Sequence, residues 1–156
     1  MPGIAMTGLA VRQAVFDDLD VLSTLFDRYR QFYKRESDVP AATAFLTERF
    51  NHGESVVFLA ECEGRAVGFT QLYPSFSSTA MARVYILNDL YVEESARRQG
   101  VGAKLLDAAI QYARAMGAVR VSLNTDTQNS VAQATYEAEG WERDQQFYAY
   151  HFHIKA

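Results

Sequence analysis

A single cysteine in 156 residues excludes an intrachain disulfide and fits a reducing compartment. That residue, Cys62, closes an apolar run from Val56, where a thiol packs rather than attacks. Histidine is scarce as well. His151 and His153 merely alternate near the end, which is weak ligand geometry, and no metal is expected. No run approaches the ~20 apolar residues of a membrane-spanning helix. The start, Met1 to Met6, lacks the basic residues and apolar stretch of a secretory signal. The expectation is a cytoplasmic protein with no membrane partner. Basic excess is missing too: a formal net charge of −4 argues against nucleic acid as a partner. Residues 1–63 hold ten acidic and six basic side chains, and residues 64–156 hold nine of each, so the imbalance lies in the N-terminal part. Linkers, repeats and low-complexity segments are absent, which predicts one domain over 1–156.

What is present alternates between strand and helix patterns. Residues 9–14 read as a first strand. Asp17, Asp18 and Asp20 supply cap and first-turn acids for a helix with the apolar stripe Leu19, Leu22, Leu25, Phe26, Tyr29 and Phe32 or Tyr33. Pro40 opens a second helix running to about residue 51, with Phe45, Leu46 and Phe50 inward. Residues 56–62 and 65–73 form a hairpin about Glu63-Gly64, and residues 74–79 read as a loop. Residues 119–124 are a further strand and 129–139 a short helix ended by Gly140. Residues 142–154 read as two short strands, or one long bent one, around Asp144-Gln145-Gln146.

The organising stretch is VYILNDLYVEESARRQGVGAKLLDAAIQYARAMG, residues 84–117. Its first part, to Val92, is β-branched and aromatic, a buried strand. After a polar turn, Arg97-Arg98-Gln99-Gly100-Val101-Gly102 opens a helix whose apolar stripe is Val101, Leu105, Ala109, Tyr112 and Met116. Gly117 stands where a helix end wants positive φ. Two glycines at a helix start expose bare backbone, and the unpaired N–H groups of the first turn favour an anion, most often a phosphate. A Walker A loop fails here, because Lys104 is followed by Leu105. A dinucleotide fingerprint fails because its third glycine would fall at Leu105. Arg97-x-x-Gly100-x-Gly102 after a strand fits a third pattern.

In that turn the chain resembles the GCN5-related N-acetyltransferase (GNAT) superfamily. A second block, Asn129-x-x-Ala132-x-x-x-Tyr136-x-x-x-Gly140-Trp141, is similar to the family's next motif, and the resemblance covers roughly residues 55–150. The wording Leu87-Asn88-Asp89-Leu90-Tyr91-Val92 is similar to the subgroup of fungal histone and polyamine acetyltransferases. The resemblance implies an α/β (α+β) fold: a mixed, mostly antiparallel sheet with a central, splayed parallel strand pair and about four helices. Acetyl-CoA is the implied cofactor, its pantetheine arm in the splay against the backbone of Leu90, Tyr91 and Val92. Its pyrophosphate would meet the turn Arg97, Arg98, Gln99, Gly100, Val101, Gly102 and Ala103, and Asn129 is a further cofactor contact. A homodimer is implied as well.

An amine attacking a thioester must be neutral, and an ammonium of pKa ~10 is about one part in a thousand neutral at pH 7. A base, and an acid for the departing thiolate, are therefore required. The chain has no Gly-x-Ser-x-Gly, and direct transfer needs no protein nucleophile. By resemblance Tyr136 is the acid. Many relatives place glutamate where Asn88 stands, which leaves Asp89 as base or ammonium anchor, although alternation turns it to the other face unless a bulge intervenes. Tyr29, Tyr33, Tyr73, Phe76 and Asn88 are candidates to line an acceptor pocket. The acidic N-terminal part suggests a cationic acceptor such as a polyamine, an aminoglycoside or a lysine side chain. A non-catalytic acyl-CoA-binding domain is the alternative that Asn88 leaves open.

Overall fold

Strand pairing in the computed structural model follows chain order: β1 (Leu9–Gln13), β2 (Val56–Cys62), β3 (Arg65–Ser77), β4 (Ala82–Val92) and β5 (Arg120–Ser122) stand side by side. Each neighbouring pair among the first four is antiparallel and β5 runs parallel to β4, a mixed and mostly antiparallel sheet. Four α-helices accompany it among the described residues: α1 (Leu19–Phe32), α2 (Val39–Asn51), α3 (Val101–Ala115) and α4 (Ser130–Ala138). The structure describes residues 8–155, so the Met1 to Met6 start discussed above lies outside them. The chain divides into two compact units, one ending at Leu123 and one beginning at Asn124.

In the first unit β2 is buried on both faces, and its period of two sorts the helices. Val57 and Leu59 pack with Leu22, Leu25, Leu46 and Phe69, which puts α1 and α2 on one face. Phe58, on the other face, meets Tyr112 of α3 with ring centroids 5.6 Å apart. Leu22, Leu46, Leu59, Leu72 and Leu105 are fully buried, each contributing about 1.5–3 kcal/mol. The hairpin turn expected at Glu63-Gly64 is formed with both residues left-handed, φ 52° and 79°, the conformation that matches strand twist. Gly117, φ 77°, ends α3 as expected. Its N–H donates to Arg114 (3.1 Å) and that of Ala118 to Ala113 (2.9 Å), which closes the last turn.

Two expectations are corrected. Residues 74–77 are strand, not loop. Pro74 is tolerated because β2 pairs with β3 no further than Val56↔Leu72, so the missing N–H faces no neighbour. Residues 142–155 of the second unit form no strand. Alternating side chains supply two faces but not a partner edge, and the ladder needs one. The Asp144 carboxylate takes the N–H groups of Gln146 (2.9 Å) and Phe147 (3.2 Å) instead, and Tyr148, Tyr150 and Phe152 are left about 90% exposed.

The parallel pair parts early. Its register runs from Val84↔Arg120 to Ile86↔Ser122, while β4 continues to Val92. Residues 87–92 therefore have β3 on one side and, among the described residues, no ladder partner on the other.

Candidate active site

Asn88 is the residue that re-aims β4. Pairing with β3 steps from Gln71↔Asp89 to Leu72↔Leu87, leaving Asn88 without a counterpart, a β-bulge. Simple alternation would send Asn88 and Asp89 to opposite faces; here both line one cavity of about 550 Å3. Asp89 is 2% exposed. Its carboxylate accepts from Asn88 Nδ2 (2.9 Å) and from Gln71 Nε2, and Thr70 Oγ1 donates to its main-chain carbonyl (2.8 Å). Burial pushes the Asp89 carboxyl above its ordinary range, and the donors from Gln71 and Asn88 only partly oppose this. Gln71 Oε1, also buried, has no hydrogen-bond partner among the described residues, an acceptor left over beside the carboxylate.

Aromatic rings surround that acid. Tyr29, Tyr33 and Tyr73 line the cavity together with Phe26 and Phe45. Tyr29 and Tyr33, four apart on α1, meet edge to face at 5.1 Å, and Phe26 stacks on Phe45 at 5.8 Å. The Tyr29 hydroxyl donates to the Asn88 carbonyl at 3.4 Å. Burial, and then the charge of Asp89, raise the pKa of both Tyr29 and Tyr73, so these phenols stay protonated near neutrality. Phe76 lies outside the lining, 69% exposed beneath the Arg83 guanidinium at 5.1 Å. Arg30, Arg35 and Asp38 complete the cavity's charged lining. Sequence reasoning does not find these three, nor Gln71. A glutamine among Val67, Phe69 and Leu72 is the one trace it leaves.

Further along β4 comes the turn. The Arg97 side chain donates from Nε to the Val92 carbonyl (2.9 Å), and its guanidinium lies 5.8 Å from the Tyr91 ring centre, which pins the turn to the strand end. Arg28 of α1 pairs with Glu93 at the same corner. Arg98 (φ 63°) and Gly100 (φ 81°) are both left-handed, curling the backbone into the helix start. The first α3 bond is donated by Lys104 to the Gly100 carbonyl (3.1 Å). The N–H groups of Val101, Gly102 and Ala103 thus precede the intrahelical ladder and face outward along the axis. A Cβ on Gly100 or Gly102 would meet nothing within 4 Å, so open space adjoins these donors. Gln99 bonds its own turn, donating to the Ser95 carbonyl at 3.4 Å. Open backbone, a positive dipole end and arginines suit a diphosphate.

In the second unit Asn129 caps α4, its Oδ1 accepting from the Ala132 N–H (3.1 Å). Tyr136, half-buried, meets the Trp141 ring at a tilt with centroids 6.0 Å apart, and the main-chain N–H of Trp141 donates to the Tyr136 carbonyl (3.0 Å) across Gly140. Among the described residues no three histidine, cysteine or acidic side chains gather as a metal site.

Comparison with known proteins accords with this geometry. The family model "Acetyltransferase (GNAT) family" matches residues 20–141. The Bacillus subtilis protein named uncharacterized N-acetyltransferase YhfO is 45% identical over 146 residues, 94% of this chain and 98% of that one. The D-amino-acid N-acetyltransferase HPA3 of Saccharomyces cerevisiae is 30% identical over 135 residues, 84% of this chain and 83% of that one. The crystal structure of a probable acetyltransferase superposes with a TM-score of 0.89 at 45% identity, covering 94% of this chain and 99% of the other. With strand, bulge and glycine turn arranged as described, the chain belongs to the GNAT family and is an N-acetyltransferase.

Proposed function

We propose that the protein transfers an acetyl group from acetyl-CoA directly to a primary amine held in the cavity at Asp89. The observation that carries this reading is the run of β4: a buried acid at residue 89, unpaired backbone beyond it, then the open glycine turn. At ~3.3 Å per strand residue, Asp89 and Val92 are about 10 Å apart, a distance that a pantetheine arm spans.

Acetyl-CoA, the family's donor, supplies an activated acetyl group. The main-chain N–H groups from Arg98 to Ala103, with Arg97, hold its diphosphate, and Leu90, Tyr91 and Val92 orient its arm. Asp89, with its raised proton affinity, takes a proton from the bound ammonium, directly or through a water. The nitrogen then bonds to the carbonyl carbon as the carbon–sulfur bond breaks. Two protons leave the nitrogen overall; one balances that given to sulfur by the Tyr136 phenol, and the other reaches solvent. The roles of Tyr136 and Asn129 rest on motif spacing. The family model spans both compact units, which supports reading them as one domain.

Acceptor candidates are small amines, including polyamines and aminoglycosides, and lysine side chains. A panel of these incubated with acetyl-CoA, followed by thiol detection, tests the reading. Amine-dependent thiol release is expected, and acetyl-CoA binding without release would instead favour an acyl-CoA sensor. We also propose a cytoplasmic homodimer related to the fungal subgroup. The 30% identity to the yeast enzyme supports the kinship, and the exposed row Tyr148, Tyr150 and Phe152 supports a partner surface. Light scattering tests the dimer.

A further inference from the structure

The cavity at Asp89 is not the uniformly acidic pocket that a polycation would need. The charged residues of its lining are two acids, Asp38 and Asp89, and two arginines, Arg30 and Arg35. The acids are not equivalent. Asp38 is engaged as the cap of α2, its Oδ1 accepting from the Ala41 N–H at 3.1 Å. Asp89 is buried, with the unpaired acceptor Gln71 Oε1 next to it. An N–H donor entering the cavity is therefore drawn to Asp89.

The arginines are placed together by the end of α1. The Arg35 N–H donates to the Arg30 carbonyl (3.0 Å), and Arg30 Nη1 lies 3.5 Å from the Glu36 carbonyl. Among the described residues neither forms a salt bridge, unlike Arg12, Arg28 and Arg49, although the charge of Arg30 is felt at Asp27. Several of the N-terminal acids that suggested a cationic acceptor are engaged elsewhere. Asp18 and Glu61 pair with Arg12, Glu54 pairs with Arg49, and Asp27 is buried holding the α1–α2 connection. The same cavity is lined by Phe26, Tyr29, Tyr33, Phe45 and Tyr73.

We infer that the acceptor is an amino-carboxylate with an apolar body, its ammonium toward Asp89, its body among the rings, and its carboxylate toward Arg30 and Arg35. A guanidinium fork suits a carboxylate in particular. A second ammonium in that position would meet two positive charges, which disfavours polyamines and aminoglycosides. This rests on the transferase reading and narrows it.

The test uses a matched pair that differs in one group: phenylalanine, each enantiomer, and phenethylamine, with 6-aminohexanoate and spermidine to vary charge separation and sign. The expected result is a kcat/KM at least tenfold higher for the better amino-carboxylate than for phenethylamine or spermidine. In the double variant Arg30→Gln, Arg35→Gln that ratio should collapse toward one, mainly through KM. Phenethylamine or spermidine used as well as the amino-carboxylates would overturn the inference, as would a ratio the double variant leaves intact. If no amine releases thiol, the transferase reading fails, and thermal-shift titration with phenylalanine and phenethylamine decides the pocket alone. Stabilisation by the carboxylate partner only, lost in the double variant, upholds the assignment, and equal or no stabilisation refutes it.

Discussion

Asp89 carries a cost that its surroundings explain. A carboxyl buried against aromatic rings holds its proton more tightly than in water, so the native state binds more protons than the unfolded chain between the ordinary value near ~4 and the raised one. Stability should fall as pH rises through that window, and Asp89→Asn should flatten the slope in denaturation series collected across it. The same raised affinity fits a base. Asp89→Asn is expected to lower kcat by about 10²–10⁴-fold and to remove the acidic limb of the kcat/KM profile. An unchanged limb would assign that titration to another group. Tyr136→Phe should keep acetyl-CoA affinity, read by calorimetry, while losing rate; unaltered turnover would dismiss the phenol as acid.

At the scale of elements, the cofactor end depends on how closely β3 approaches β4. A Cβ on Gly68 would lie 2.8 Å from the Tyr91 carbonyl oxygen and 3.4 Å from Val92 Cα, both main-chain atoms that cannot swing aside. Gly68→Ala should therefore destabilise by about 1–3 kcal/mol, seen as a lower urea midpoint, and should weaken acetyl-CoA binding through displacement of Leu90 to Val92. The α1–α2 connection depends on Asp27, 3% exposed, which accepts from Ser37 Oγ (2.7 Å), the Asp38 N–H (2.7 Å) and Gln31 Nε2 (2.9 Å). Burial alone would raise its pKa; the donors, Ser37 foremost, hold it below the ordinary carboxylate range. This stabilisation is present above the ordinary value and is lost as pH falls through the depressed one. Asp27→Asn should cost about 2 kcal/mol near neutrality, with wild type and variant drawing together as pH falls from about 4 through the depressed value.

Across the molecule, the legible parts were those fixed by local pattern. A short apolar run before a turn located β2, a 3–4 stripe located α1 and α3, and glycine chemistry located the turns at Gly64, Gly100 and Gly117. Pairing was less legible. Pro74 reads as a breaker until the absence of β2 beside it is known, and residues 142–155 carry a strand pattern with no partner edge. The site divided the same way. The diphosphate turn is a contiguous motif, whereas the cavity joins Arg30 and Arg35 to Tyr73 and Asp89 across folds of the chain, and the bulge at Asn88 is visible only in the register. The account stands on one chain of events, from an open helix start that holds acetyl-CoA to an amine deprotonated at Asp89. Its most direct test follows free CoA and N-acetylated amine together, in one reaction of the purified protein with acetyl-CoA and the amine panel. Equal amounts of both products are expected, dependent on amine and formed about 10²–10⁴-fold more slowly with Asp89→Asn; acetyl-CoA that binds but stays intact with every amine would refute acetyl transfer at Asp89.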